Sequence, residues 1–108
     1  MKAKAKGARR ERQARDQLTA EGYAVTKAGG SLGIWDLVAV RRDPLGDDYL
    51  PVVRMIQVKS NRNPGRLETK VLRGDTARYM ALFVRCEVWR YDDRKGKPSI
   101  LILNPVDG

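Results

Sequence analysis

A chain of 108 residues with 42% hydrophobic content is long enough for one small core and too short for two ordinary domains. The 22 Lys and Arg against 13 Asp and Glu leave a net charge of +9, which points to a polyanionic partner, nucleic acid ahead of a membrane surface. The absence of histidine and the single cysteine, Cys86, exclude His-based triads, an intramolecular disulfide and Cys or His zinc sites, so any catalysis rests on carboxylates, amides, lysine and a hard metal ion.

Residues 1–6 alternate Lys and Ala and read as a flexible basic tail, with residues 7–108 forming one domain. The composition from Gly7 to Glu21 predicts a helix, stopped by Gly22. Within it Glu11, Ala14 and Leu18 form one stripe, which turns a carboxylate inward, where it needs a partner or a metal. Tyr23 to Ala28 predicts a short strand, Gly29 to Gly33 a turn, and Ile34 to Val40 a nearly continuous apolar strand central in a sheet. Arg42 to Asp48 carries the Pro, Gly and Asp signals of a loop, and Pro51 to Val58 predicts a third strand that completes an antiparallel meander.

Asn61 to Arg66 reads as a basic turn, and Leu67 to Leu72 is ambiguous between an extended arm and early helix. Asp75 can N-cap a helix running to about Val84, with Ala77, Met80, Ala81 and Val84 on one face. Strands at Glu87 to Tyr91 and Ser99 to Leu103 follow, joined by the turn-rich Asp92 to Pro98. The order αβββαββ predicts an α/β domain around a mixed sheet. No stretch approaches the roughly 20 apolar residues of a membrane span, and the start lacks the apolar segment of a signal peptide, so the protein is expected in the cytoplasm of a prokaryotic cell or phage-infected host, away from membranes.

The chemistry gathers on two apolar runs. Asp36 opens the first as a hard carboxylate; in the second, Gln57 and Lys59 lie two residues apart on one strand face. Gln57 offers an amide oxygen, the Val58 carbonyl a further ligand, and Glu11 can complete a metal environment if its helix packs beside the strands. Lys59 is placed to orient the attacking water and to counter charge on a scissile phosphate. Ser31, between glycines, can hydrogen-bond a phosphate or a water on the metal. Taken singly, each has a plainer reading: Asp36 as a carboxylate satisfying loop amides, Gln57 and Lys59 as solvated strand positions, Glu11 as the i,i+4 partner of Arg15, Ser31 as a turn residue. Together they favour a site.

Glu11 in an N-terminal helix, Ser31 in a Gly-rich turn, Asp36 opening an apolar strand and Gln57-Val58-Lys59-Ser60 ending the next resemble archaeal-type Holliday junction resolvases, of the PD-(D/E)xK nuclease superfamily. The resemblance covers about residues 6–80. It implies a restriction-endonuclease-like fold and a homodimer that uses Mg2+, with Mn2+ as a substitute, to nick opposed strands of a four-way DNA junction. Trp35 stands where the family usually has proline, and Gln57 replaces an acidic ligand, which removes one negative charge from the metal site.

Lys2, Lys4, Lys6, Arg9, Arg10 and Arg12 supply a dense positive arm, and Arg62 and Arg66 extend the field beyond the site strand. Such cations hold phosphates without reading bases. Trp35, Trp89, Tyr79 and Phe83 sit in apolar runs and read as core or interface residues rather than base-stacking platforms. Two other functions fit the same features: a DNA-binding module without turnover on a nuclease-like scaffold, and a nuclease acting on flaps or other branched DNA.

Overall fold

The computed structural model describes residues 3–28 and 34–104, with side chains from residue 7 onward. In chain order it contains helix α1 (Ala3–Ala20), strands β1 (Ala24–Lys27), β2 (Leu37–Leu45) and β3 (Asp48–Ser60), helix α2 (Arg66–Tyr79), and strands β4 (Val84–Tyr91) and β5 (Ser99–Ile102). The five strands form one mixed sheet in the order β1-β2-β3-β4-β5. Strands β1 to β3 are the expected antiparallel meander, β4 runs parallel to β3, and β5 returns antiparallel to β4. The chain is thus an α/β domain. None of the described helices is long and apolar enough to cross a membrane.

Side-chain alternation along the strands divides the apolar residues between two faces. On one face Ala14 and Leu18 of α1 pack with Leu37, Ala39, Ile56, Trp89 and Tyr91. On the other, Leu72 of α2 packs with Trp35, Met55, Cys86 and Val88. Trp35, Trp89 and Cys86 are core residues, the last two despite the charged neighbours Arg85, Glu87 and Arg90 along β4, whereas Phe83 remains 38% exposed.

Helix α1 begins at Ala3, upstream of the expected start at Gly7, so residues 3–6 belong to it rather than to a tail. Alternating Ala and Lys are both good helix formers, and they extend a helix already anchored by its Ala14 and Leu18 stripe. At the other end Gly22 adopts φ 94, a left-handed value that suits glycine. Gly22 N–H donates to Thr19 O and Tyr23 N–H to Leu18 O, the paired bonds of a Schellman stop.

Two expectations require correction. The predicted loop at 42–48 is a continuous hairpin: β2 runs to Leu45, a two-residue Gly46-Asp47 turn follows, and Leu45 faces Asp48. Gly46, at φ 60, takes the first central position, where a type II′ turn favours glycine. Pro44, which argued for a loop, is tolerated because β1 pairing ends at Val40, leaving that stretch of β2 with one partner strand, and Pro51 likewise lies upstream of the β4 pairing that begins at Val53. The second helix starts at Arg66 instead of Asp75 and ends at Tyr79, not Val84. Gly65 N-caps it, and Glu68 reaches back to the Gly65 N–H at 3.5 Å. Its buried residues are Leu72 and Thr76, whose hydroxyl donates to Leu72 O at 2.8 Å, so the face proposed through Ala77 and Met80 is not the inward one.

Leu72 is fully buried while Leu67, five residues earlier on the same helix, is 79% exposed. Leu72→Ala should therefore cost about 2–5 kcal/mol of unfolding free energy, and Leu67→Ala within about 0.5 kcal/mol of none. Urea denaturation of the two variants checks this placement of α2, and equal effects would contradict it.

Candidate active site

Asp36 sits immediately before β2, and its backbone departs from regular pairing. Leu37 is the register partner of Ile56, yet Asp36 N–H also donates to Ile56 O at 2.9 Å. Two residues therefore address one, the arrangement of a β-bulge, which re-aims a side chain out of strict alternation. The re-aimed carboxylate accepts the Val58 N–H through Oδ2 at 2.8 Å. The N–H and C=O of one strand residue face the same neighbour, and β2 begins only at Leu37. The Val58 carbonyl is thus directed to the space beside Asp36.

Glu11 projects from α1 near enough to Asp36 for the two charges to be felt. Burial first, and then the Asp36 charge, raise the Glu11 pKa, against the pull of Lys27 and Arg15. Burial also raises that of Asp36, against the Val58 N–H, Lys59 and Lys27. Both carboxylates therefore lie where burial disfavours ionisation and nearby lysines offset part of that cost. Lys27 closes β1 opposite Leu37 and acts on both acids. The sequence reading did not single it out, since only the register of the β1–β2 pair reveals it.

Gln57 and Lys59 alternate onto the α2 face. Gln57 Nε2 approaches Ile34 O at 3.4 Å, while its Oε1 is buried without a partner among the described residues. Lys59 forms an ion pair with Glu68 of α2, and Arg62 binds the other oxygen of the same carboxylate at 3.0 Å. Glu68 was also missed, although the spacing Pro64-Gly65-x-x-Glu68 is a helix-start signal. The structure brings Asp36, Val58, Glu11 and Lys59 into one neighbourhood and places Gln57 beside a cavity of about 230 Å³ walled by Ile34, Leu67, Glu68 and Val71. Ser31 lies outside the described residues.

Lys59, followed by Arg62, holds the Glu68 carboxyl down at about 2, below its ordinary 4.5. A carboxyl depressed in the folded state contributes stability above its unfolded pKa and loses it as pH falls through the folded one. Glu68→Gln should therefore flatten the decline in stability between pH 4.5 and about 2. Urea midpoints across that window check it, and an unchanged acid limb would contradict it.

An oxygen-seeking divalent cation fits these donors. Glu11 and Asp36 supply two carboxylates and the Val58 carbonyl faces the same space, while the orphaned Gln57 Oε1 lies on the α2 face beside the cavity of about 230 Å³. Among the described residues no three His, Cys, Asp or Glu side chains gather into a metal-holding group. Magnesium is commonly held by one or two carboxylates, with waters and substrate phosphates completing its shell.

The basic arm is divided. Arg9 and Arg12 are exposed, but Arg10 is only 6% exposed. It donates to Gln13 at 2.8 Å and Asp93 at 3.2 Å and lies over the Tyr91 ring, which makes it a structural cation. Lys4 and Lys6 are carried by α1 with side chains outside the described residues, as is all of Lys2. Arg62 is engaged by Glu68, and Arg66 stands exposed at the start of α2. Compared with protein-family models and with curated protein sequences, the chain matches neither a family nor an individual protein.

Proposed function

We propose that this protein is a metal-dependent, structure-selective DNA endonuclease that resolves four-way junctions by paired nicks, acting as a homodimer. The observation that carries the reading is the bulge at Asp36, which pins the carboxylate on the Val58 N–H beside Glu11 and Lys59 at the ends of two neighbouring strands. The element order, with a β-meander followed by a helix and a parallel strand, supports the family resemblance.

Asp36, Glu11, the Val58 carbonyl and the Gln57 amide oxygen would hold Mg2+ or Mn2+. Such a cation supplies charge neutralisation at a scissile phosphate and a nucleophile available at neutral pH. The protein's own share is positional. Val58 N–H keeps Asp36 directed into the site, and Lys59, steadied by Glu68, presents its charge to the phosphate and orients a water. The +9 balance supplies the sequence-independent attraction for DNA.

A second reading, a DNA-binding module without turnover, is favoured by the amide at Gln57 and by the hold of Glu68 on Lys59. Matched, end-labelled four-way, flap, linear and single-stranded DNAs, incubated with Mg2+ or Mn2+, separate the readings. Metal-dependent nicking confined to the four-way substrate is the expected result. Cutting of flaps instead moves the substrate class, and binding without any cutting establishes the module.

A further inference from the structure

We infer that the outer face of α2 is a track for the phosphodiester backbone of DNA leading away from the candidate site; this rests on the nuclease reading above. Arg66, Lys70 and Arg73 recur at i, i+4 and i+7, within an arc of roughly 60° at 100° per residue, and all three are exposed. Among the described residues none of the three has a hydrogen-bond or ion-pair partner, whereas Arg41, Arg54, Arg62 and Arg90 are all paired. The helix's acidic residues, Glu68 and Asp75, lie on the opposite side of its axis, and Glu68 is already engaged by Lys59 and Arg62.

With Leu67 and Thr69, the three cations line an open cavity of about 380 Å³. Leu67 also borders the cavity of about 230 Å³ that reaches Gln57, so the basic stripe and the site strand adjoin through one residue. The stripe spans about 10 Å of helix axis at 1.5 Å per residue, comparable to about three nucleotides at 3.4 Å per step. A polyanion with regularly spaced charges is the ligand that this surface complements. Leu67 and Val71, 79% and 51% exposed, offer apolar contact beside the charges, suited to the sugar of a nucleotide between the track and the site.

The test is fluorescence anisotropy with a labelled four-way junction and a labelled linear duplex across a salt series, comparing wild type, K70E/R73E and K95E/K97E. The last pair makes the same charge change in the turn before β5. Losing two phosphate contacts should lower the slope of log affinity against log salt by about 1.8 and weaken binding at least about tenfold at low salt relative to K95E/K97E, with circular dichroism unchanged. A K70E/R73E variant that matches K95E/K97E in affinity and slope, while the wild type binds and cuts, overturns the track and leaves the nuclease reading standing. Failure of the wild type to bind either DNA overturns both.

Discussion

Asp36→Ala is expected to reduce cleavage on the order of 10³-fold or more while leaving DNA binding and folding largely intact. The substitution removes one of the two carboxylates at the site and frees the Val58 N–H that its Oδ2 accepts. Because burial raises the Asp36 pKa, the ionised side chain is an unfavourable guest of the fold, retained at a cost to stability. Its removal should therefore inactivate without unfolding. Asp36→Asn separates charge from shape, since an amide oxygen can still accept the Val58 N–H; it should be as inactive as the alanine variant. Single-turnover cleavage, anisotropy binding and circular dichroism on the same preparations provide the check. Cutting within tenfold of wild type by either variant would remove Asp36 from the chemistry.

The largest stability effect is expected from Arg54→Ala. Glu87, on β4, is completely buried, and Arg54 of β3 grips it with two bonds, Nε to Oε2 at 2.9 Å and NH2 to Oε1 at 2.7 Å. Trp89 Nε1 adds a third at 2.8 Å. Removing the guanidinium leaves a carboxylate inside the core with only an indole N–H and the more distant Arg85, at 3.5 Å, for compensation. Breaking a buried pair in this way costs about 3–5 kcal/mol. Replacing both partners with apolar residues, as in Arg54→Met with Glu87→Met, should recover most of that loss, because no charge is then stranded. Chemical denaturation of the single and double variants tests this, and a single variant within about 1 kcal/mol of wild type would contradict it.

Local rules made much of the fold legible. The Ala14 and Leu18 stripe located α1, Gly22 its stop, and the apolar runs β2 and β3, because each signal lies within one turn or one strand of its effect. Where two local signals conflicted, the reading went astray. Pro44, Gly46 and three aspartates looked like a loop, yet a two-residue turn needs only Gly46, and Pro44 falls beyond the β1 pairing, where β2 has a free side. At α2, Asp75 offered a stronger cap than Gly65, yet the helix starts at Arg66 and buries Leu72 and Thr76. Asp36, Gln57 and Lys59 could be singled out by spacing, since strand periodicity is short. What spacing could not show were the partners that converge from other elements: Lys27 across the β1–β2 pair, Glu68 from α2, and Glu87 on Arg54 across the β3–β4 pair. Nor could it distinguish buried Arg10 from exposed Arg9 and Arg12, because all three carry the same charge in one basic run and only tertiary packing separates them.

The central claim is that the carboxylates at Asp36 and Glu11, with the Val58 carbonyl and Lys59, cut DNA with the help of a divalent cation. The most direct measurement is single-turnover cleavage of an end-labelled four-way junction by the folded wild-type protein, with Mg2+ and with EDTA in parallel. The account predicts paired nicks on opposed strands with Mg2+ and intact junction with EDTA. Intact junction under both conditions, or equal cutting under both, would contradict it.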